Sequence, residues 1–259
     1  MLETHGRAPT GPALRMAAWS VHLLTASGAL WALLALDAIA RSRFATALWW
    51  MTLAVVVDGI DGALARLARA KEVLRHIDGT LLDNLIDYLN YVVVPSFLLF
   101  RAGLLPERFA LPAAATVCLV SALHFAHTQA KTPDHFFRGF PCYWNIVALY
   151  LLLLRPDAWI ALGLVIALAA LALTPVRFVY PTRTPYLRRT TLTLLAIWST
   201  LLVWLLWRYP DHSVAWTVGS LTYGLYYVLL GLWLQRRGVD TDAGGPGPLP
   251  RPRGASGRG

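Results

Sequence analysis

The chain has 259 residues, of which 57% are hydrophobic and only 14% are charged, and its formal net charge at pH 7 is +9. This composition is too apolar for an ordinary soluble domain and indicates an integral membrane protein. Membrane topology and contact with anionic lipid headgroups explain the positive charge, and no basic patch interleaved with aromatic residues indicates nucleic acid as a partner.

Eight apolar stretches come close to the roughly 20 helical residues that cross a hydrocarbon core. In chain order, they cover residues 17–40, 44–66, 79–100, 109–128, 140–154, 158–176, 190–207 and 213–234. The sequence therefore predicts an all-α, polytopic membrane bundle of about eight transmembrane helices. This would be one membrane domain, residues 17–236, preceded by an N-terminal segment, 1–16, and followed by a Gly-, Pro- and Arg-rich tail, 237–259, for which we expect disorder. Arginines and lysines concentrate in alternate connections and at both ends, so we expect both termini in the cytoplasm.

The second predicted span ends in the segment VVVDGIDGALAR, residues 55–66, where two aspartates interrupt an apolar run. Asp58, Asp61, Gly62 and Ala65 are spaced i, i+3, i+4 and i+7, so they share one face of a helix. An ionisable group inside a bilayer costs at least about 2.5–3.5 kcal/mol and usually marks function. Arg66, one turn beyond Asp61, is placed to reach a phosphate at the membrane surface.

The third predicted span begins with GTLLDNLID, residues 79–87, and repeats the pattern. Gly79, Asp83 and Asp87 are spaced i, i+4 and i+8, so they also share one helix face. If the two faces meet, Asp58 and Asp61 join Asp83 and Asp87 in an all-oxygen site suited to Mg²⁺ or Mn²⁺. Two bound metals would leave positions for phosphate oxygens.

Each of these residues also has a purely structural interpretation. Asp61 and Arg66 could form an ion pair at the interface, and Asp83 could be a first-turn residue favoured by the helix dipole. The small residues Gly62, Ala65 and Gly79 could admit either a bulky ligand or a neighbouring helix. Intramembrane carboxylates also occur in cation-coupled transporters, but the repeated halves and broken spans expected of a transporter are not found in this sequence.

The complete pattern, from Asp58 to Asp87, resembles the signature of the CDP-alcohol phosphotransferase (class I) family. The spacer between Arg66 and Gly79 has twelve residues, which is longer than the usual family pattern and similar to the bacterial phosphatidylcholine synthases of that family. The stretches SVHLLTASGAL from Ser20, KEVL at 71–74 and GFPCYWN from Gly139 also resemble that subfamily, in which two helices are added to a six-helix core.

The resemblance implies an enzyme, a CDP-diacylglycerol:choline O-phosphatidyltransferase, that transfers the phosphatidyl group of CDP-diacylglycerol to choline and releases CMP. The implied metal ligands, for two Mn²⁺ or Mg²⁺ ions, are Asp58, Asp61, Asp83 and Asp87. Asp87 would also be the catalytic base. The residues implied to line CDP-diacylglycerol are Gly62, Ala65, Arg66 and Gly79. The resemblance further implies a homodimer in the bacterial inner membrane.

The acceptor alcohol is the least determined part of this interpretation. A quaternary ammonium favours aromatic faces, and the candidates are Tyr91, Tyr88 and Trp144. Tyr91 continues the stripe of Gly79, Asp83 and Asp87. Serine, glycerol phosphate or inositol are the alternative acceptors, and basic residues on the cytoplasmic side would suit an anionic one such as glycerol phosphate.

Overall fold

The computed structural model describes residues 11–126, 136–174, 176–179 and 187–236. Its helices are α1 Pro12–Ala26, α2 Gly28–Ala40, α3 Phe44–Leu67, α4 Ala70–Val73, α5 Gly79–Tyr88, α6 Val94–Arg101, α7 Glu107–Ala126, α8 Trp144–Leu154, α9 Ala158–Ala172, α10 Arg188–Trp207 and α11 Val214–Arg236. Each of the eight predicted stretches is helical over most of its length. The prediction of a helical membrane bundle is confirmed, while the terminal tail lies outside the described residues.

Five helical segments are long and apolar enough to cross a membrane by length and composition. They are Pro12–Ala40, Phe44–Leu67, Glu107–Ala126, Arg188–Trp207 and Val214–Leu234. α8 and α9 are apolar but shorter, with 11 and 15 residues. The protein is therefore a multi-pass membrane protein, and eight full crossings stay a prediction.

The first predicted span is divided at Ser27 into α1 and α2. The Ser27 hydroxyl donates to the Leu24 carbonyl at 2.6 Å and accepts the Trp31 indole N–H at 3.1 Å. A serine that bonds to backbone in this way competes with regular helix geometry. The break separates α1, which packs on α3, α4 and α5, from α2, which packs mainly on α3 and α6.

The third predicted span is a continuous helical rod with a wider turn inside it. Asp78 caps the start of α5, because its side chain accepts the N–H groups of Thr80 and Leu81, both at 3.0 Å. A π-helical turn, Leu89–Val93, joins α5 to α6. Pro95 has no N–H to donate to the preceding turn, so its position at the start of α6 accounts for the local widening.

A short irregular segment precedes α8, so the fifth predicted span begins only at Trp144 instead of residue 140. Two three-residue strands, β1 Phe136–Arg138 and β2 Arg177–Val179, pair antiparallel, and they are an exception to the all-α prediction among the described residues. Gly139 follows with φ +80°, and a Cβ there would lie 2.3 Å from the Ala172 carbonyl oxygen. Only glycine fits this close approach.

One large buried cluster joins α2, α3, the π turn and α6 to α9, with Ile39, Leu98, Val117, Trp144 and Leu152 among its members. α10 and α11 pack at the side of α8. The Tyr150 hydroxyl lies 2.7 Å from the Ser220 hydroxyl and accepts the Trp198 indole N–H at 3.0 Å. The acidic segments of α3 and α5 lie beside α1.

Candidate active site

Three carboxylates from two helices meet at one point. Asp58 of α3 and Asp83 and Asp87 of α5 each offer an oxygen, and these oxygens all lie within 4.8 Å of one another. The helical spacings of 58–61 and 83–87 therefore do place the two acidic faces opposite each other. All three side chains are half-buried, so they are shielded from bulk water without being sealed from it.

Asp61 lies in the same pocket but is not a member of this three-carboxylate group. It is only 5% exposed, and its Oδ2 accepts the Thr25 hydroxyl of α1 at 2.7 Å. The pocket is lined by Thr25, Gly28, Ala54, Val57, Asp58, Asp61, Asp83, Ile86, Asp87, Asn90 and Tyr91. Four helices therefore contribute to its walls, together with the π turn that carries Asn90 and Tyr91.

The donor set fits a hard divalent cation. Carboxylate oxygens are the ligands that Mg²⁺ and Mn²⁺ prefer, and a group of three within 4.8 Å can bring several of them onto one ion. Three like charges held this close repel each other unless positive charge or protons compensate them. The geometry therefore suits metal binding by Asp58, Asp83 and Asp87.

The residues on the last turns of α3 differ in their surroundings. Arg66 is exposed, and in the described part of the chain it forms no ion pair with Asp61, which bonds to Thr25 instead. A Cβ on Gly62 would meet only the Arg66 guanidinium, at 3.7 Å, so this surface is open. Ala65 packs against a small cluster of Ala18, Ala70 and Leu74.

Gly79 provides room for a side chain of the protein itself. A Cβ at this position would lie 3.0 Å from Cε1 of His22, which is tighter than ordinary van der Waals contact. His22 is 8% exposed, and its Nε2 has no hydrogen-bond partner among the described residues. Gly79 therefore lets α1 and α5 approach each other, which is the helix-packing interpretation of its small size.

His22, which lies against Gly79, and Thr25, which lines the pocket, are buried residues of α1 to which the sequence pattern assigned no role. They are spaced i, i+3 on the buried face of α1, together with Ala18 and Val21. Two polar residues at helical spacing on an apolar helix were the available signal. What the pattern could not supply was the partner helix, because Asp61 lies 36 residues further along the chain.

The three aromatic candidates have separate positions. The Tyr91 hydroxyl donates to Asp58 Oδ2 at 2.7 Å, so Tyr91 lies in the pocket. Tyr88 donates instead to the Cys118 carbonyl at 3.0 Å and lies edge-on to Phe125. Tyr88 follows Asp87 directly, so it projects about 100° around the helix from the acidic face.

Trp144 is fully buried, and its indole N–H donates to the Ser121 hydroxyl at 2.9 Å. Its ring meets Phe140 in a T-shaped contact. The structure therefore places neither Tyr88 nor Trp144 on the walls of the acidic pocket, and only Tyr91 of the three predicted choline contacts lies there.

A helical membrane fold with a carboxylate-lined pocket fits a membrane enzyme that uses a bound divalent cation, and comparison with known sequences identifies the family. Residues 19–176 match the family described as CDP-alcohol phosphatidyltransferase. The chain belongs to this family and is a phosphatidyltransferase.

Several relatives share most of their length with this chain. It is 40% identical over 224 residues to the phosphatidylcholine synthase of Legionella pneumophila, covering 84% of this chain and 88% of the relative. It is 39% identical over 218 residues to the phosphatidylcholine synthase of Brucella melitensis, covering 84% and 79%. The phosphatidylcholine synthase of Pseudomonas aeruginosa is 44% identical over 172 residues, covering 66% and 72%.

Proposed function

We propose that this phosphatidyltransferase is a phosphatidylcholine synthase: it transfers the phosphatidyl group of CDP-diacylglycerol to choline and releases CMP. The observation that carries the proposal is the group of Asp58, Asp83 and Asp87 in a chain whose relatives at about 40% identity are phosphatidylcholine synthases. Membership of the family supports the reaction type, and the names of these relatives support choline as the acceptor.

Asp87 is proposed as the general base. Its carboxylate accepts the proton of the choline hydroxyl, the oxygen forms a bond to the phosphorus that carries diacylglycerol, and the bond from that phosphorus to the CMP oxygen breaks. Asp58, Asp61, Asp83 and Asp87 are proposed to hold two Mn²⁺ or Mg²⁺ ions. When bound, these cations supply positive charge that stabilises the negative charge of the pyrophosphate.

The residues at the open end of α3 are proposed to bind the nucleotide half of the substrate. Arg66 offers planar N–H donors that match phosphate oxygens, and the open surface at Gly62 leaves space for a ligand. Ala65 and Gly79 complete this set. Their contacts with α1 and α4 support a role in holding the pocket wall beside the nucleotide.

Choline is proposed to lie near Tyr91, which is one of the residues that line the pocket. An aromatic face attracts a quaternary ammonium through its negative ring surface. The hydroxyl of the same ring bonds to Asp58, so a choline beside the ring would be close to the proposed metal site. Serine, glycerol phosphate and inositol are the competing acceptors.

The membrane placement is also a proposal. Residues 17–236 form the membrane domain of an enzyme in the bacterial inner membrane, and the segments 1–16 and 237–259 lie in the cytoplasm. The distribution of arginine and lysine supports this orientation. It lets CMP leave into water while the acyl chains stay in the bilayer. We further propose a homodimer with one site per subunit.

The test is the release of CMP by purified protein supplied with CDP-diacylglycerol, Mn²⁺ and one alcohol at a time. We expect choline to give the fastest release, with phosphatidylcholine as the lipid product, and serine, glycerol phosphate and inositol to give little. Faster release with another alcohol would reassign the acceptor. No release with any alcohol would contradict the proposed reaction as a whole.

A further inference from the structure

The two carboxylates of α3 each receive a short hydrogen bond from a hydroxyl on another helical segment. Thr25 of α1 donates to Asp61 Oδ2 at 2.7 Å, and Tyr91 of the π turn donates to Asp58 Oδ2 at 2.7 Å. The four residues all line the acidic pocket. Asp58 and Asp61 are thus oriented from two sides by partners outside their own helix.

Thr25 is fixed where it stands. It is 8% exposed, and its hydroxyl also lies 3.3 Å from the Val21 carbonyl of its own helix. A hydroxyl has one proton to donate, and the shorter contact is the one to Asp61. Thr25 belongs to the last turn of α1, on the buried face of the helix that packs on α3.

Tyr91 is directed by the π turn. In a regular α-helix, residues four apart drift by about 40° around the axis, so a stripe that begins at Gly79 would have rotated well away by residue 91. A π-helical turn takes more residues per turn and counteracts this drift. Tyr91 lies inside the turn Leu89–Val93 and donates to Asp58 from there.

We propose that Thr25 and Tyr91 are positioning residues of the metal site: their hydroxyls fix the orientation of Asp61 and Asp58 so that the carboxylates bind divalent cations. This inference rests on the metal site of the proposed function. Each hydroxyl occupies one oxygen of its carboxylate and leaves the other oxygen for an ion. Hydrogen-bond partners of this kind hold a metal-binding side chain in the rotamer that binds the ion. Their loss typically weakens metal affinity or activity about 10- to 100-fold.

The experiment measures Mn²⁺ binding to the purified full-length chain in lipid nanodiscs, without either substrate, from the electron paramagnetic resonance signal of free Mn²⁺. We expect Thr25→Val and Tyr91→Phe each to raise the dissociation constant about 10- to 100-fold. Thr25→Ser keeps the hydroxyl and should bind Mn²⁺ like the unsubstituted chain. Both substitutions that remove a hydroxyl nearly preserve side-chain volume, so the fold is retained.

Thr52→Val is the matched control, because among the described residues the Thr52 hydroxyl of α3 bonds only to the Leu48 carbonyl of its own helix, at 2.8 Å. Unchanged affinity in Thr25→Val and Tyr91→Phe would overturn the proposal, and so would a Thr25→Ser variant as weak as Thr25→Val. No Mn²⁺ binding by the unsubstituted chain would overturn both the metal site and the positioning role. Weakened binding in the variants, with choline inactive as acceptor, would support the positioning role while contradicting the choline assignment.

Discussion

Gly28 lies so close to Ile86 that a Cβ at position 28 would come within 2.3 Å of Ile86 Cγ2. A branched side chain attached near the backbone cannot move away easily, so Gly28→Ala should shift α2 against α5. We expect a loss of about 1–3 kcal/mol in stability, the usual cost of overpacking, measured by thermal unfolding in detergent.

The double variant Gly28→Ala/Ile86→Ala tests the cause. Ile86→Ala removes Cγ2 and leaves Cβ at 3.8 Å from the new methyl group, so the double variant should lose clearly less than the sum of the two single losses. Additive losses would contradict the steric explanation. Gly163→Ala is the control, since a Cβ on Gly163 of α9 meets nothing within 4 Å.

Asp87→Asn should abolish most turnover while retaining part of the CDP-diacylglycerol binding. An amide cannot accept the choline proton, and general bases typically contribute about 10²- to 10⁴-fold to rate. Steady-state CMP release and a separate binding measurement with CDP-diacylglycerol would check this. Asp37→Asn, at an exposed aspartate paired with Arg41 at 2.9 Å, should leave the rate unchanged. Near-normal turnover of Asp87→Asn would require another base.

Tyr88→Phe should affect stability and not choline affinity. The variant loses the hydrogen bond from Tyr88 to the Cys118 carbonyl, which is worth about 1 kcal/mol. We expect a lower unfolding temperature with an unchanged KM for choline. A raised KM for choline without any loss of stability would return Tyr88 to the choline site.

Arg66→Ala should raise KM for CDP-diacylglycerol roughly 10- to 100-fold, because hydrogen bonds to a charged group contribute about 1.5–3 kcal/mol. The KM for choline should change little. Arg75→Ala is the matched control, since Arg75 is also exposed and its Nε contacts only the Glu72 carbonyl, at 3.4 Å, among the described residues. Equal effects of the two substitutions would indicate general attraction of the anionic substrate instead of a specific contact.

The sequence was sufficient to predict features that repeat along one helix. The i, i+3 and i, i+4 spacings of Asp58, Asp61, Asp83 and Asp87 predicted the acidic faces, and the structure brings three of these four carboxylates together. Apolar length predicted the helices themselves. Both signals are local, so they can be read without knowledge of which helices are neighbours.

Contacts between helices could not be predicted in the same way. Thr25 reaches Asp61 because α1 packs on α3, and Trp144 lies in the core, where it donates to Ser121, and not in the lining of the pocket. Tyr91 was predicted beside the acids, but the sequence did not predict its bond to Asp58 or the π turn in which it lies. Such features follow from packing, which a single sequence does not specify.

The short helix α9 has a consequence for the surrounding lipid. Its 15 residues rise about 22 Å, whereas the 24 residues of α3 rise about 36 Å. Trp159 and Ile160 of α9 are largely exposed, so this face meets acyl chains unless another subunit covers it. A wall shorter than the ~30 Å hydrocarbon core is accommodated by bilayer thinning or by oligomerisation. Hydrophobic mismatch at α9 thus makes this protein sensitive to the acyl-chain length of the lipids in its host membrane.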